Sequence, residues 1–108
     1  MKLLQITDEN FDAEVRDSAI PVLIDFWGPR CAPCIALDPF MEDLSDEYRD
    51  RVKIVKVVAP ESRKLCASLR VMGLPTMMAL SDGEETARIG GDDISGDDIR
   101  NLLESVID

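Results

Sequence analysis

The chain is 108 residues long, enough for one domain with a real core and too short for two. Its 45% apolar and 31% charged residues fit a soluble globular protein, and a formal charge of −10 excludes nucleic-acid phosphates and anionic lipid as natural partners. Three cysteines are too few, and odd in number, for a secreted disulfide scaffold. No apolar run is long enough to span a membrane, and Met1 to Asn10 holds no apolar core of signal-peptide length. The expected compartment is therefore the cytoplasm, where a cysteine pair is catalytic or metal-binding rather than structural.

Leu3-Leu4-Gln5-Ile6 reads as a first short strand. Thr7-Asp8-Glu9-Asn10 is rich in capping residues, and Phe11, Val15 and Ala19 recur at spacing four, which predicts a helix ending before Pro21. Val22 to Phe26 is apolar on both faces, as a central parallel strand requires, yet it carries Asp25. The chain then turns through Gly28-Pro29-Arg30 to Cys31-Ala32-Pro33-Cys34. From Cys34 to Tyr48, Leu37, Phe40, Met41, Leu44 and Tyr48 keep helical spacing, with Asp38, Glu42, Asp43 and Glu47 on the other side. Pro39 falls inside that helix, where it is expected to kink it and remove one backbone bond.

Val52 to Val58 is the next strand, and a third helix is expected from Glu61 to Leu69, containing Cys66. Met77 to Leu80 and Glu85 to Ile89, joined at Ser81-Asp82-Gly83-Glu84, form an antiparallel edge hairpin. Met72, Met77 and Met78 read as core or sheet filling. The last helix starts at Ser95, with Asp98 completing a capping box and Ile94 and Ile99 at the staple positions. The order β-α-β-α-β-α-β-β-α makes residues 1–108 a single α/β domain: a mixed central sheet of about five strands flanked by four helices.

A strand that delivers Cys-x-x-Cys to a helix N-terminus has the outline of a redox site. With Cys31 as the cap, the free N–H groups of the first turn face its sulfur, and Arg30 adds a cation beside it. Such surroundings lower a thiol from about 8.5 to about 7, worth roughly 2 kcal/mol in favour of the thiolate. Cys34 follows one turn on, which brings the two Cα atoms to about 5–6 Å, within disulfide range. Cys31 can therefore attack a substrate disulfide and Cys34 can resolve the mixed disulfide. Cys34, deeper in the helix, needs a base. Asp25 is the candidate, with a pKa raised by burial, and Lys56 in the neighbouring strand is its natural charge partner.

Blander readings exist for each group. Cys-x-x-Cys can be half of a zinc site, but zinc wants four ligands, and the chain has no His and only Cys66 besides. No metal is expected. Asp25 can be a hydrogen-bonded core acid, Lys56 can extend its stem to the surface, and Cys66 is a small buried hydrophobe.

Asp25-Phe26-Trp27, then Cys31-x-Pro33-Cys34, then Pro39, then Gly73-Leu74-Pro75-Thr76, resembles the thioredoxin family along nearly the whole chain. The resemblance implies the thioredoxin fold, with a cis peptide at Pro75 facing the disulfide. It implies that Leu74 pairs through its backbone with substrate, and that Trp27, Leu74 and the Gly90-Gly91 loop form an apolar rim. Trp27, Arg30, Pro33, Gly73, Leu74, Pro75 and Gly91 are thus the expected substrate-binding residues, beside the catalytic Cys31, Cys34, Asp25 and Lys56. No bound cofactor is implied. The redox group is the Cys31–Cys34 disulfide, supplied with electrons from NADPH through thioredoxin reductase. The partners are that reductase and proteins carrying disulfides, and the chain is expected to be a monomer.

The chain departs from the family pattern at three places. Arg30 stands where a second Trp is usual, Ala32 replaces Gly, and Val58-Ala59-Pro60 replaces a polar, acidic stretch. Arg30 is expected to acidify Cys31 and to favour acidic patches beside the target disulfide. Pro33 offers none of the positive charge that His supplies in oxidising relatives, which favours a reductant. A specialised oxidant or isomerase, and a redox-gated binding module, are the alternatives.

Overall fold

The computed structural model describes residues 3–107. One five-stranded sheet organises it, formed by β1 (Leu4–Gln5), β2 (Val22–Trp27), β3 (Lys53–Val58), β4 (Thr76–Ser81) and β5 (Glu84–Gly90), in the order β1-β3-β2-β4-β5. β1 and β2 run parallel to β3, while β4 runs antiparallel to both β2 and β5. This is the mixed α/β sheet that the element order predicts. Three α-helices cover it: α1 (Ala32–Glu47), α2 (Arg63–Ser68) and α3 (Gly96–Val106).

Strand alternation divides the core in two. Val22, Ile24 and Phe26 turn to one face and pack with Val55, Val57, Met78, Phe11, Val15 and Cys66. Leu23 turns to the other and packs with Ile54, Met77, Met41, Leu44 and the α3 residues Ile99 and Leu103. By the same alternation Asp25 and Trp27 lie on the second face, under α1, and Lys56 beside Asp25 in the β2–β3 register lies there too.

The first helix is shorter than its periodicity predicts. It is a single π turn, Asp12–Arg16, in which Asp17 N–H reaches Asp12 O at 2.9 Å. Ser18 Oγ then donates to Ile20 O at 2.7 Å, a local turn that competes with further helix, and Pro21 disfavours helical backbone at Ile20. Ala19 is therefore exposed, not part of a buried stripe. The third helix is also split. Ala59–Glu61 form a 3-10 turn, Ser62 leaves helical geometry at φ −136°, and α2 begins only at Arg63. Arg70 closes α2 at φ 59°, and the Arg88 guanidinium donates to Leu69 O and Arg70 O at 2.7 and 2.9 Å while pairing with Glu85. That clamp ties the segment before β4 to β5.

Pro39 lies inside α1 without ending it; its missing N–H costs the Ile35 carbonyl its helical donor. Ser95 and Asp98 form the predicted capping box of α3. Asp82 (φ 54°) and Gly83 (φ 80°) make the β4–β5 turn with both central residues left-handed, as a type I′ hairpin demands. A Cβ at Gly83 would also stand 2.9 Å from Arg16 O. Met77 and Met78 are core residues as expected, but Met72 is 94% exposed. It precedes β4 in an irregular stretch, where no ladder turns it inward. Among the described residues no helix is long and apolar enough to cross a membrane.

Candidate active site

The C-terminal ends of β2 and β3 deliver the chemistry. After Trp27 the chain turns through Gly28-Pro29-Arg30, and Cys31 caps α1 with extended backbone. Cys31 is bonded to Cys34, with their Cα atoms 5.2 Å apart. Cys34 N–H donates to Cys31 Sγ at 3.2 Å, so a free donor of the first helical turn does face the first sulfur. Ala32 and Pro33 occupy the first two helical positions, where a missing proline N–H costs nothing. The two sulfurs differ in access: Cys31 is half-buried, whereas Cys34 is 2% exposed.

On the sheet face that α1 covers lies Asp25, 2% exposed, with Oδ1 lacking a hydrogen-bond partner among the described residues. Burial pushes its carboxyl from 3.8 up to about 7, the negative charge of Asp38 pushes the same way, and Lys56 opposes them. The expected Asp25–Lys56 pairing is therefore only part of the arrangement. Lys56 lies beside Asp25 in register, but its ammonium is 3.8 Å from Asp38 Oδ1 and 5.0 Å from the centroid of the Trp27 ring. Asp38, assigned from sequence to the solvent side of α1, instead belongs to the site. Its signal was present in the spacing: it follows Cys34 by four residues and precedes Met41 by three, and both of those are buried.

The Trp27 indole N–H is also buried without a partner among the described residues. Trp27 lies opposite Val58, and the following Ala59-Pro60 carry no side-chain acceptor.

Across from α1, the Leu74–Pro75 peptide is cis. Thr76 Oγ1 donates to Gly73 O at 2.6 Å, and Gly91 N–H donates to Pro75 O at 3.2 Å. Gly91 holds φ 118°, which favours glycine. Leu74 is half-buried, with its Cδ1 3.2 Å from where a Cβ of Gly28 would stand. Gly73 and Gly91 are exposed, Pro33 is half-buried, and Arg30 is exposed on the loop before Cys31. Cys66 lies on the opposite face of the sheet in the apolar cluster. Burial and Asp8 push its thiol up, as suits a packing residue.

The family model described as Thioredoxin matches residues 2–105. The chain belongs to the thioredoxin family. It is similar to Thioredoxin C-2 of Corynebacterium nephridii, 42% identical over 86 residues that cover 80% of each chain. It is 37% identical to Thioredoxin 1 of Synechococcus elongatus over 86 residues, again 80% of each. The Thioredoxin of Bacillus subtilis is 39% identical over 84 residues, 78% of this chain and 79% of its own. With its Cys31–Cys34 pair, this thioredoxin-family chain is a dithiol–disulfide oxidoreductase whose redox group is the cysteine pair itself.

Proposed function

We propose that the chain is a monomeric cytoplasmic reductant of protein disulfides, recharged by a thioredoxin reductase with electrons from NADPH. The observation that carries this reading is the asymmetry of the cysteine pair: a half-exposed Cys31 at the helix cap is bonded to a buried Cys34, and a buried, protonatable Asp25 lies on the sheet face that α1 covers.

In the reduced protein the Cys31 thiolate, favoured by the helix N-terminus and Arg30, attacks one sulfur of the substrate disulfide. A mixed disulfide forms and the first substrate thiolate leaves, taking a proton from solvent. Cys34 passes its thiol proton to the Asp25 carboxylate, and the resulting thiolate attacks Cys31 Sγ. The Cys31–Cys34 bond closes and the second substrate thiolate is released. Two electrons move from the dithiol to the substrate. Asp25 suits this step because a carboxyl that titrates near 7 both accepts and returns a proton at neutral pH. Lys56 and Asp38 set that balance from opposite sides.

Leu74, ahead of cis-Pro75, pairs through its backbone with an extended substrate segment, as an edge strand would. Trp27, Pro33, Gly73 and Gly91 form the surrounding rim, and Arg30 reads charge beside it. The uncharged Pro33 between the cysteines supports the reductant direction, since it gives no positive stabilisation to the reduced form. A buried, free Cys66 suits a reducing compartment.

The test is turnover of an accessible protein disulfide by catalytic amounts of the chain, followed as NADPH oxidation with a bacterial thioredoxin reductase and, separately, with dithiothreitol. Multiple turnovers in both are expected. Turnover with dithiothreitol alone would remove the reductase from the account. Stoichiometric reaction without turnover in either would overturn the reductant reading in favour of a redox-gated binding module.

A further inference from the structure

A cleft of about 590 Å³ opens beside Cys31. Its apolar walls are Gly28, Pro60 and Leu74, drawn from three different connections of the fold. Gly28 allows them to close together: a Cβ there would lie 3.2 Å from Leu74 Cδ1 and 3.5 Å from Pro60 Cδ. Two cations line the same cleft, Arg30 from the loop before the redox helix and Arg63 from the start of α2.

Of the described cations that form no ion pair with a described carboxylate, Arg30, Arg49, Arg51, Arg63, Lys64 and Arg70, only Arg30 and Arg63 line this cleft. Arg16, Lys53, Lys56, Arg88 and Arg100 are each held by a carboxylate. Arg30 and Arg63 have no carboxylate partner among the described residues, and Glu61, in the turn leading to α2, forms no ion pair with either. A molecule with a formal charge of −10 thus leaves two guanidiniums unneutralised at the mouth of its reactive sulfur. Guanidinium is the group best matched to a carboxylate, which it meets with two parallel N–H donors.

We propose that Arg30 and Arg63 form a carboxylate-reading cleft that selects protein disulfides flanked by acidic residues. The inference rests on the reading of Cys31 as the attacking sulfur: a substrate sulfur at Cys31 places its neighbouring residues in the cleft between the two arginines. The net charge of the molecule works the other way, since at long range it attracts basic segments and repels acidic ones. The cleft therefore makes a prediction opposite in sign to that of the bulk charge.

The experiment compares second-order rates of the fully reduced protein on three peptide disulfides of one sequence, with the positions beside the cysteine occupied by Glu, Gln or Lys. At low salt the Glu peptide is expected to react roughly three- to thirty-fold faster than the Gln peptide, as two partly exposed ion pairs allow. That ratio should shrink toward one in high salt. Arg63→Gln should remove most of the ratio, and Arg63→Glu should invert it in favour of the Lys peptide, which a merely structural role for Arg63 would not do. Equal rates on the Glu and Gln peptides, or a Lys peptide fastest with the unaltered protein, would overturn the cleft and leave the dithiol chemistry standing. No reaction with any of the three peptides would instead overturn the reductant reading on which it rests.

Discussion

Phe26 and Asp25 are neighbours on β2, both buried, and they face opposite sides of the sheet. On the Phe26 side the strand packs against the apolar Val55, Val57 and Met78, and the polar groups there, Thr76 and Lys53, are paired with Gly73 O and Glu14. On the Asp25 side the apolar core of Leu23, Met41, Ile54 and Met77 changes, toward the disulfide, into a buried carboxyl, a shared ammonium and a second acid on α1. One face spends its burial on stability. The other accepts a desolvated group that weakens the fold and gains a titration near neutral pH. The two demands coexist because strand alternation separates them by a single residue.

The contrast can be broken from either side. The largest effect is expected at the cysteines. Cys31→Ser should lower disulfide turnover by about a thousandfold or more, since a hydroxyl does not exchange with a disulfide. Cys34→Ser should retain the first attack and accumulate a covalent mixed disulfide through Cys31, visible by mass spectrometry.

On the apolar face Phe26→Ala should destabilise the protein by about 3–5 kcal/mol at any pH, measured by denaturant unfolding. Asp25→Asn should do the reverse. In the folded protein Asp25 titrates near 7, against 3.8 as its ordinary value. The native state therefore holds the extra proton between those limits, and stability falls as pH rises from about 4 to about 7. Asp25→Asn should stabilise the protein by roughly 2–4 kcal/mol at pH 8.5 and by little at pH 4. It should also slow resolution of the mixed disulfide. An Asn variant that is no more stable at high pH would show that Asp25 is not a strained acid.

The smallest expected effect separates the two acids. Asp38→Asn removes a charge that holds the Asp25 proton on, and it frees Lys56 from its partner. The Asp25 midpoint should fall by about one pH unit, and the pH profile of the resolving step should move down with it. An unchanged profile would return Asp38 to the surface role that its sequence pattern suggests.

Much of this was legible in the sequence. The run Val22 to Trp27, apolar but for Asp25, followed by Cys-x-x-Cys at a helix start, located the strand, the cap and the disulfide. Asp-Gly located the hairpin, and Ser95 with Asp98 located the last helix. What was not legible depended on tertiary context. Phe11, Val15 and Ala19 keep helical spacing, but the Ser18 turn and Pro21 stop the helix after one turn. Met72 is apolar in type, yet no strand carries it inward. Asp38 looked like one of several solvent acids on α1, and only the packing of that helix over β2 and β3 shows that it faces Lys56. Arg63 carries no signal in the sequence pattern; α2 begins there, later than the pattern suggests, and the fold brings its side chain to the cleft at Cys31.

The most direct test is a site-resolved titration of the Asp25 carboxyl carbon by NMR in the oxidised protein. The account predicts a midpoint near 7, lowered by Asp38→Asn. A midpoint close to 3.8 would contradict it: Asp25 would then be an ordinary paired carboxylate, and the proton of Cys34 would need another acceptor.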